Sequence, residues 1–220
     1  MSFWNWEWVG THLDLIGEKL GEHLWLTLLA VGFGLVVSFP LAILAHRRAR
    51  TYPAITWVTG LLYTIPSLAL FALLVPFTGL STLTAEIGLV SYTLLILIRN
   101  AVTGLGGTPE DVKEAARAMG YSERGVLWRV ELPLALPVIV AGIRIATVTT
   151  IGLVTVTALI GKGGLGALML GGFRRLYPQI AILVGVALSV ALAVAADRLL
   201  LRAQRALTPW ARRTPSVTGT

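Results

Sequence analysis

Five stretches of this chain are each long and apolar enough to cross a lipid bilayer, and that feature constrains everything else it can fold into. A crossing helix needs about 20 mostly apolar residues, because the hydrocarbon core is about 30 Å thick and an α-helix rises about 1.5 Å per residue. The runs cover residues 24–45, 54–77, 84–105, 134–160 and 179–201. The first stops at His46-Arg47-Arg48-Ala49-Arg50, the second contains Pro66, and the third carries Arg99 and Asn100 near its end. Only 13% of the chain is charged, against roughly 25% in a soluble domain. A chain of 220 residues that is 55% apolar cannot hide that surface from water, since small domains bury a limited share of it. Disorder is excluded on the same grounds. The absence of cysteine excludes disulfides, thiol catalysis and cysteine-ligated metals.

The net charge of +7 would suit a nucleic-acid partner if the basic residues shared one face. They flank the apolar runs instead, and no nucleic-acid partner is expected. Arg47, Arg48 and Arg50 follow the first run. Arg99, Lys113, Arg117, Arg124 and Arg129 lie at or between the third and fourth, and Arg198, Arg202, Arg205, Arg212 and Arg213 end or follow the fifth. An alternating path puts these thirteen on one side and only Lys19, Lys162, Arg174 and Arg175 on the other, with Arg144 inside the fourth run. The positive-inside rule then predicts an external amino terminus and a cytoplasmic carboxyl terminus.

Residues 1–23 lack the basic region of a signal peptide. Leu13, Ile16, Leu20 and Leu24 recur at helical spacing and predict a short amphipathic helix on the outer surface, with Trp4, Trp6 and Trp8 as interfacial anchors. Between the third and fourth runs, residues 106–133 read as two short helices. Thr108 is a suitable N-cap, Pro109 a suitable first residue and Asp111 a capping-box partner. Gly120 stands where a helix ends in a left-handed residue, and Ser122 can open the second helix. The polarity of this loop implies either solvent or a partner surface.

Glu114-Ala115-Ala116, three residues, Gly120, nine residues, then Val130-Glu131-Leu132-Pro133 resembles the EAA loop of binding-protein-dependent ATP-binding-cassette importers, with Val130 where the family form has isoleucine. Further strings are similar to the osmoprotectant permeases, which import glycine betaine, choline, carnitine and related compounds. These are Tyr63 to Leu70, Ile98-Arg99-Asn100, Glu131 to Pro137, Ala141 to Arg144, and Leu159 to Gly166. Methionine and other small-solute permeases share parts of them.

The resemblance implies an all-α membrane protein with five spans in the methionine-permease-like type I importer fold. It implies a 24–201 permease domain, a coupling loop over 106–133, an external loop over 161–178 and a cytoplasmic tail over 202–220. Glu114, Ala115, Ala116 and Gly120 would contact a cytoplasmic ATPase, and Leu132 and Pro133 would start the fourth span. The implied partners are that ATPase, an external substrate-binding protein, a second permease subunit (identical or similar) and membrane lipid, in a bacterial or archaeal cytoplasmic membrane. The chain itself would bind no cofactor and catalyse nothing, ATP and magnesium being used by the partner ATPase.

Gly161-Lys162-Gly163-Gly164-Leu165-Gly166 is not a phosphate loop, because Gly163 follows Lys162 where serine or threonine is required. These glycines predict an irregular outer loop or short re-entrant helix, with Gly163 and Gly164 as candidates for the pathway, a gate or a binding-protein contact. Arg144 demands a reason for sitting inside a span: it snorkels, pairs with a carboxylate, or meets a solute carboxylate on the pathway. Asp197 and Arg198 read as an end-of-helix charge pair or as solvated termini. Trp57, Tyr63, Phe71 and Tyr92 are the aromatic candidates for a quaternary ammonium, Tyr63 and Tyr92 being the pathway candidates, although packing explains aromatics as simply. Gly32, Gly34, Gly142, Ala146 and Gly152 suit close helix contacts. An ion-driven carrier would place carboxylates inside the spans, yet only Glu86 and Asp197 approach them, at their edges. A membrane enzyme would need a cluster of His, Asp or Glu at membrane depth, which the runs lack.

Overall fold

The computed structural model describes residues 5–212, and every regular element among them is helical. Trp4 and Arg213, both counted above, and the tail from residue 213 onward lie outside the described residues. The chain opens with α1 (Trp6–Thr11) and α2 (Leu13–Arg47). It continues through α3 (Tyr52–Thr64), α4 (Ser67–Thr78), α5 (Thr82–Gly106), α6 (Glu110–Ala118) and α7 (Glu123–Val126). A π-helical turn (Leu127–Glu131) leads into α8 (Leu132–Val154), which tightens to a 3-10 stretch over Thr155–Ile160. Last come α9 (Leu165–Phe173) and α10 (Ile180–Leu207).

Four runs are long and apolar enough to cross a membrane: α2, α5, the run Glu123–Ile160, and α10. The pair α3 and α4 makes a fifth when counted as one span, bent by 95°. Pro66 causes that bend. A residue before proline is pushed out of the helical region, and Ile65 duly has φ −65° and ψ 127°. Backbone groups freed in a membrane need partners, and the Tyr92 hydroxyl donates to the Ile65 carbonyl.

The amphipathic stretch that starts at Leu13 is helical and runs into the first span without a break, so α2 is one helix of 35 residues. Trp8 departs from its expected anchoring place: it is buried, its ring stacked on His12 and tilted against Tyr177, in a cluster with Ile16, Leu165, Leu168 and Ile180. The indole is covered because α9 folds inward and offers an apolar surface that water and headgroups do not. Trp6 stays exposed.

Helices α2, α5 and α8 form the centre, with Leu26, Ala30, Leu89 and Val154 in one buried cluster and Ala42, Ala101, Leu105, Ala135 and Ile139 in another. Close approach is built in. A Cβ at Gly142 on α8 would fall 2.4 Å from the Asn100 Cβ on α5, which only glycine avoids. Helix α10 packs on α8 and α9, and α3 and α4 lie against α5.

Candidate functional site

The stretch from Thr108 to Glu131 stands at the end of the bundle that carries the basic junctions. Its first helix starts one residue later than the sequence predicts. Pro109, extended at ψ 142°, occupies the N-cap position of α6. That shift takes Thr108 out of reach of the first-turn amides, and its hydroxyl is buried without a hydrogen bond. Asp111 accepts from the Val112 amide instead. Glu110 and Asp111 in the first turn and Arg117 in the last complement the helix dipole. The far end closes as expected. Gly120 has φ +90°, its amide donates to the Arg117 carbonyl, and the Tyr121 amide donates to Ala116. These two bonds are a Schellman motif, which glycine enters without steric penalty. The Ser122 hydroxyl then caps α7 by accepting from the Gly125 amide.

The six residues expected at a coupling surface divide into two groups. Glu114, Ala115 and Gly120 are exposed. Ala116 is buried on the side that meets α7 and the π turn, Leu132 packs against the Ala135–Ile139 cluster, and Pro133 sits in the first turn of α8. The exposed face of α6 has an apolar stripe, Val112, Ala115 and Met119, with Met119 71% exposed. Glu114 flanks the stripe. A polar helix that presents such a stripe to solvent offers a docking face for another protein.

Ion pairs hold this helix in place. Arg117 joins Glu110 on its own helix and Glu123 on α7, each at 2.9 Å. The Arg117 and Lys113 side chains hold the Glu110 carboxyl well below its ordinary range, at about 2. Lys113 lies 2.8 Å from Glu110 and 3.8 Å from Glu131. Glu131 is buried, and its other oxygen accepts from His46 Nε2 at 3.2 Å. Glu131, Lys113 and His46 were not singled out as site residues from sequence. Glu131 stood inside the quoted motif, and that was the available signal.

The remaining candidates are scattered. Arg144 pairs with Asp197 on α10 and donates to Gln204 Oε1, whose amide in turn donates to the Pro137 carbonyl. Asp197 is therefore not an end-of-helix charge beside Arg198, because α10 continues to Leu207 and the carboxylate faces α8. The pair lines a groove of about 730 Å³ between these helices. Tyr63 and Tyr92 meet edge to face at 5.9 Å beside the Pro66 break. Gly163 and Gly164 lie at the other end of the bundle, packed against the 3-10 stretch and α2. The region after the fourth span is a short inward-folded helix whose Leu165 and Leu168 are fully buried.

Residues 31–212 match the family described as binding-protein-dependent transport system inner membrane component. The chain is 40% identical over 194 residues to the osmoprotectant import permease protein OsmW of Salmonella typhimurium, covering 86% of this chain and 89% of that one. It is 34% identical to the glycine betaine/carnitine/choline transport system permease protein OpuCB of Bacillus subtilis, covering 87% and 88%. It is 36% identical to a carnitine transport permease protein of Listeria monocytogenes, covering 87% and 88%. Among solved structures, a chain of the MetNI methionine ABC transporter in an inward-facing conformation superposes with a TM-score of 0.81 at 24% identity, covering 90% of this chain and 98% of that one.

Proposed function

The chain belongs to the family of binding-protein-dependent transport system inner membrane components, and from that premise we propose that it carries a small compatible solute such as glycine betaine, choline or carnitine into the cytoplasm. It is a multi-pass membrane subunit of an ATP-driven importer with the type I permease fold. The solute class rests on relatives 33–40% identical over most of the chain.

The observation that carries the mechanism is α6. Its exposed Val112–Ala115–Met119 stripe, the neighbouring Glu114 and the Schellman turn at Gly120 form a face that docks into a groove of a cytoplasmic ATPase. ATP and magnesium bind to that partner, whose cycle moves α6. The amino terminus faces outward and the basic end faces the cytoplasm, as the thirteen-to-four distribution of basic residues supports. One chain supplies half of the pathway, and a second permease subunit completes it. An external binding protein captures the solute and presents it at the end of the bundle near α9.

Reconstitution tests this reading. The permease, its ATPase and its binding protein in liposomes hydrolyse ATP faster when glycine betaine or choline is added with the binding protein. The isolated permease shows no micromolar betaine binding by calorimetry. Such binding would overturn the division of labour, and a complex that responds only to methionine would move the solute to another class.

A further inference from the structure

We propose that Glu131 is a positioning residue that transmits the movement of α6 to the spans, through a charge latch formed with Lys113 and His46. The latch deepens the docking role of α6 and rests on that reading.

The geometry sets Glu131 apart from the other loop carboxylates. Glu110, Glu114 and Glu123 are solvated, whereas the Glu131 side chain is only 10% exposed. It stands where the π turn ends and α8 begins. One oxygen faces His46, in the last turn of α2, and the other faces Lys113, in the middle of α6. One carboxylate therefore touches the docking helix, the end of the first span and the start of the fourth.

Helix α6 has little else to hold it. Ala116 is its one buried side chain among the described residues, so apolar packing does not fix it to the bundle. Its remaining charge contacts, Glu110 and Arg117 with Glu123, stay within the solvated loop. Lys113 is nearly buried and lies between two carboxylates, 2.8 Å from Glu110 and 3.8 Å from Glu131. An ammonium on a flexible stem can transfer its weight from one to the other as α6 shifts. Glu131 is the last residue of the π turn, a single-residue widening of the helix of the kind frequently found at functional sites. A push on α6 thus reaches α8 and α2 through Glu131 and not through an apolar interface.

The test uses the reconstituted complex with Glu131→Gln, Lys113→Gln and the exchanged pair Lys113→Glu, Glu131→Lys. Three quantities are measured: ATPase capture by the permease, ATP hydrolysis, and solute moved per ATP. Glu131→Gln and Lys113→Gln are expected to insert, capture the ATPase as the parent does and hydrolyse ATP, while solute moved per ATP falls about tenfold, a typical coupling magnitude. The exchanged pair is expected to recover part of that loss relative to Glu131→Lys alone. Lys113→Gln breaks the same contact from the loop side, so the result does not hang on one variant folding. Unchanged solute per ATP in both single variants would overturn the latch, as would loss of ATPase capture, which would make the contact a support for loop folding only. An exchanged pair no better than Glu131→Lys alone would overturn it too. The underlying reading fails separately, if Glu114→Lys with Gly120→Val captures the ATPase and transports as the parent does.

Discussion

The backbone of His23 lies directly against Gly164: a Cβ placed on Gly164 would sit 2.7 Å from both the His23 amide nitrogen and its Cα. Gly164 also has φ +48°, so a side chain there meets both a steric wall and an unfavourable backbone conformation. The contact holds the turn before α9 to the first third of α2. His23 itself donates from Nε2 to the Ile151 carbonyl at 3.0 Å, which ties α8 into the same junction.

Gly164→Ala is expected to destabilise the protein by about 1–3 kcal/mol, the usual range for overpacking a rigid site. Gly152→Ala, with nothing within 4 Å of its added methyl, serves as the control and gains from the better helix propensity of alanine. Thermal unfolding in detergent distinguishes them. Equal melting temperatures would show that the turn moves away from His23 at no cost.

The Arg144–Asp197 pair yields a double-mutant cycle. Arg144 Nε and Nη2 both donate to Asp197 Oδ1, at 3.0 and 2.8 Å. Asp197→Ala leaves a half-buried guanidinium with only Gln204 and is expected to cost about 1–3 kcal/mol. The double variant Arg144→Gln, Asp197→Asn is expected to lose less than the sum of its single changes, with a coupling of about 0.5–3 kcal/mol. Additive losses in melting experiments would show that the two groups act independently.

Gly120→Val tests the helix stop. A β-branched residue at φ +90° carries a left-handed penalty of about 1–2 kcal/mol, so the Schellman turn opens and the Val112–Met119 stripe loses its orientation. Membrane insertion is expected to be normal, with weaker ATPase capture in pull-down. Capture equal to the parent's would place the docking face elsewhere.

The loop's pH response follows from Glu110, whose carboxyl is held at about 2 against an ordinary 4.5, chiefly by the Arg117 hydrogen bond and then by Lys113. A depressed carboxylate favours the folded loop at every pH above the ordinary value and loses that contribution as the pH falls through the depressed one. A spin label at Ala118 is therefore expected to show constant mobility from about pH 5 to 8 and rising mobility from about pH 4 down to 2. Glu110→Gln is expected to reduce the acid transition, with the remainder coming from the Glu123 and Glu131 pairs. A parent transition near neutral pH would contradict the assignment.

Orientation is accessible through single cysteines on the cysteine-free chain. Leu80→Cys and Met119→Cys place thiols on residues 66% and 71% exposed at opposite ends of the bundle. An impermeant reagent applied to whole cells is expected to label the first and not the second. The reverse pattern would invert the membrane topology.

The spans were legible because bilayer thickness imposes a length that few soluble helices meet together with such hydropathy. The stop at Gly120 was legible because it depends only on the six neighbouring residues from Ala116 to Tyr121. Features set by distant partners were not. Pro66 stood inside the second run, which was read as one span, and the 95° bend there depends on how α4 packs against α5. Arg144 announced the need for a partner, while Asp197 lies 53 positions away and looked like a terminal charge until α10 proved longer. Trp8 matched an interfacial anchor in every local respect, and only the inward fold of α9 decides that it is buried.

Helix α2 runs between the two ends of the molecule as one continuous helix, with Pro40 inside it. At about 1.5 Å per residue, His23 and His46 stand about 35 Å apart on one uninterrupted helix. A tilt of about 10° pivoting at His46 would carry His23 about 6 Å sideways, and Gly164 and the turn before α9 would have to travel with it. The turn before α9 and the Glu131 contact at the basic end are thus joined by one helix, α2, which touches both.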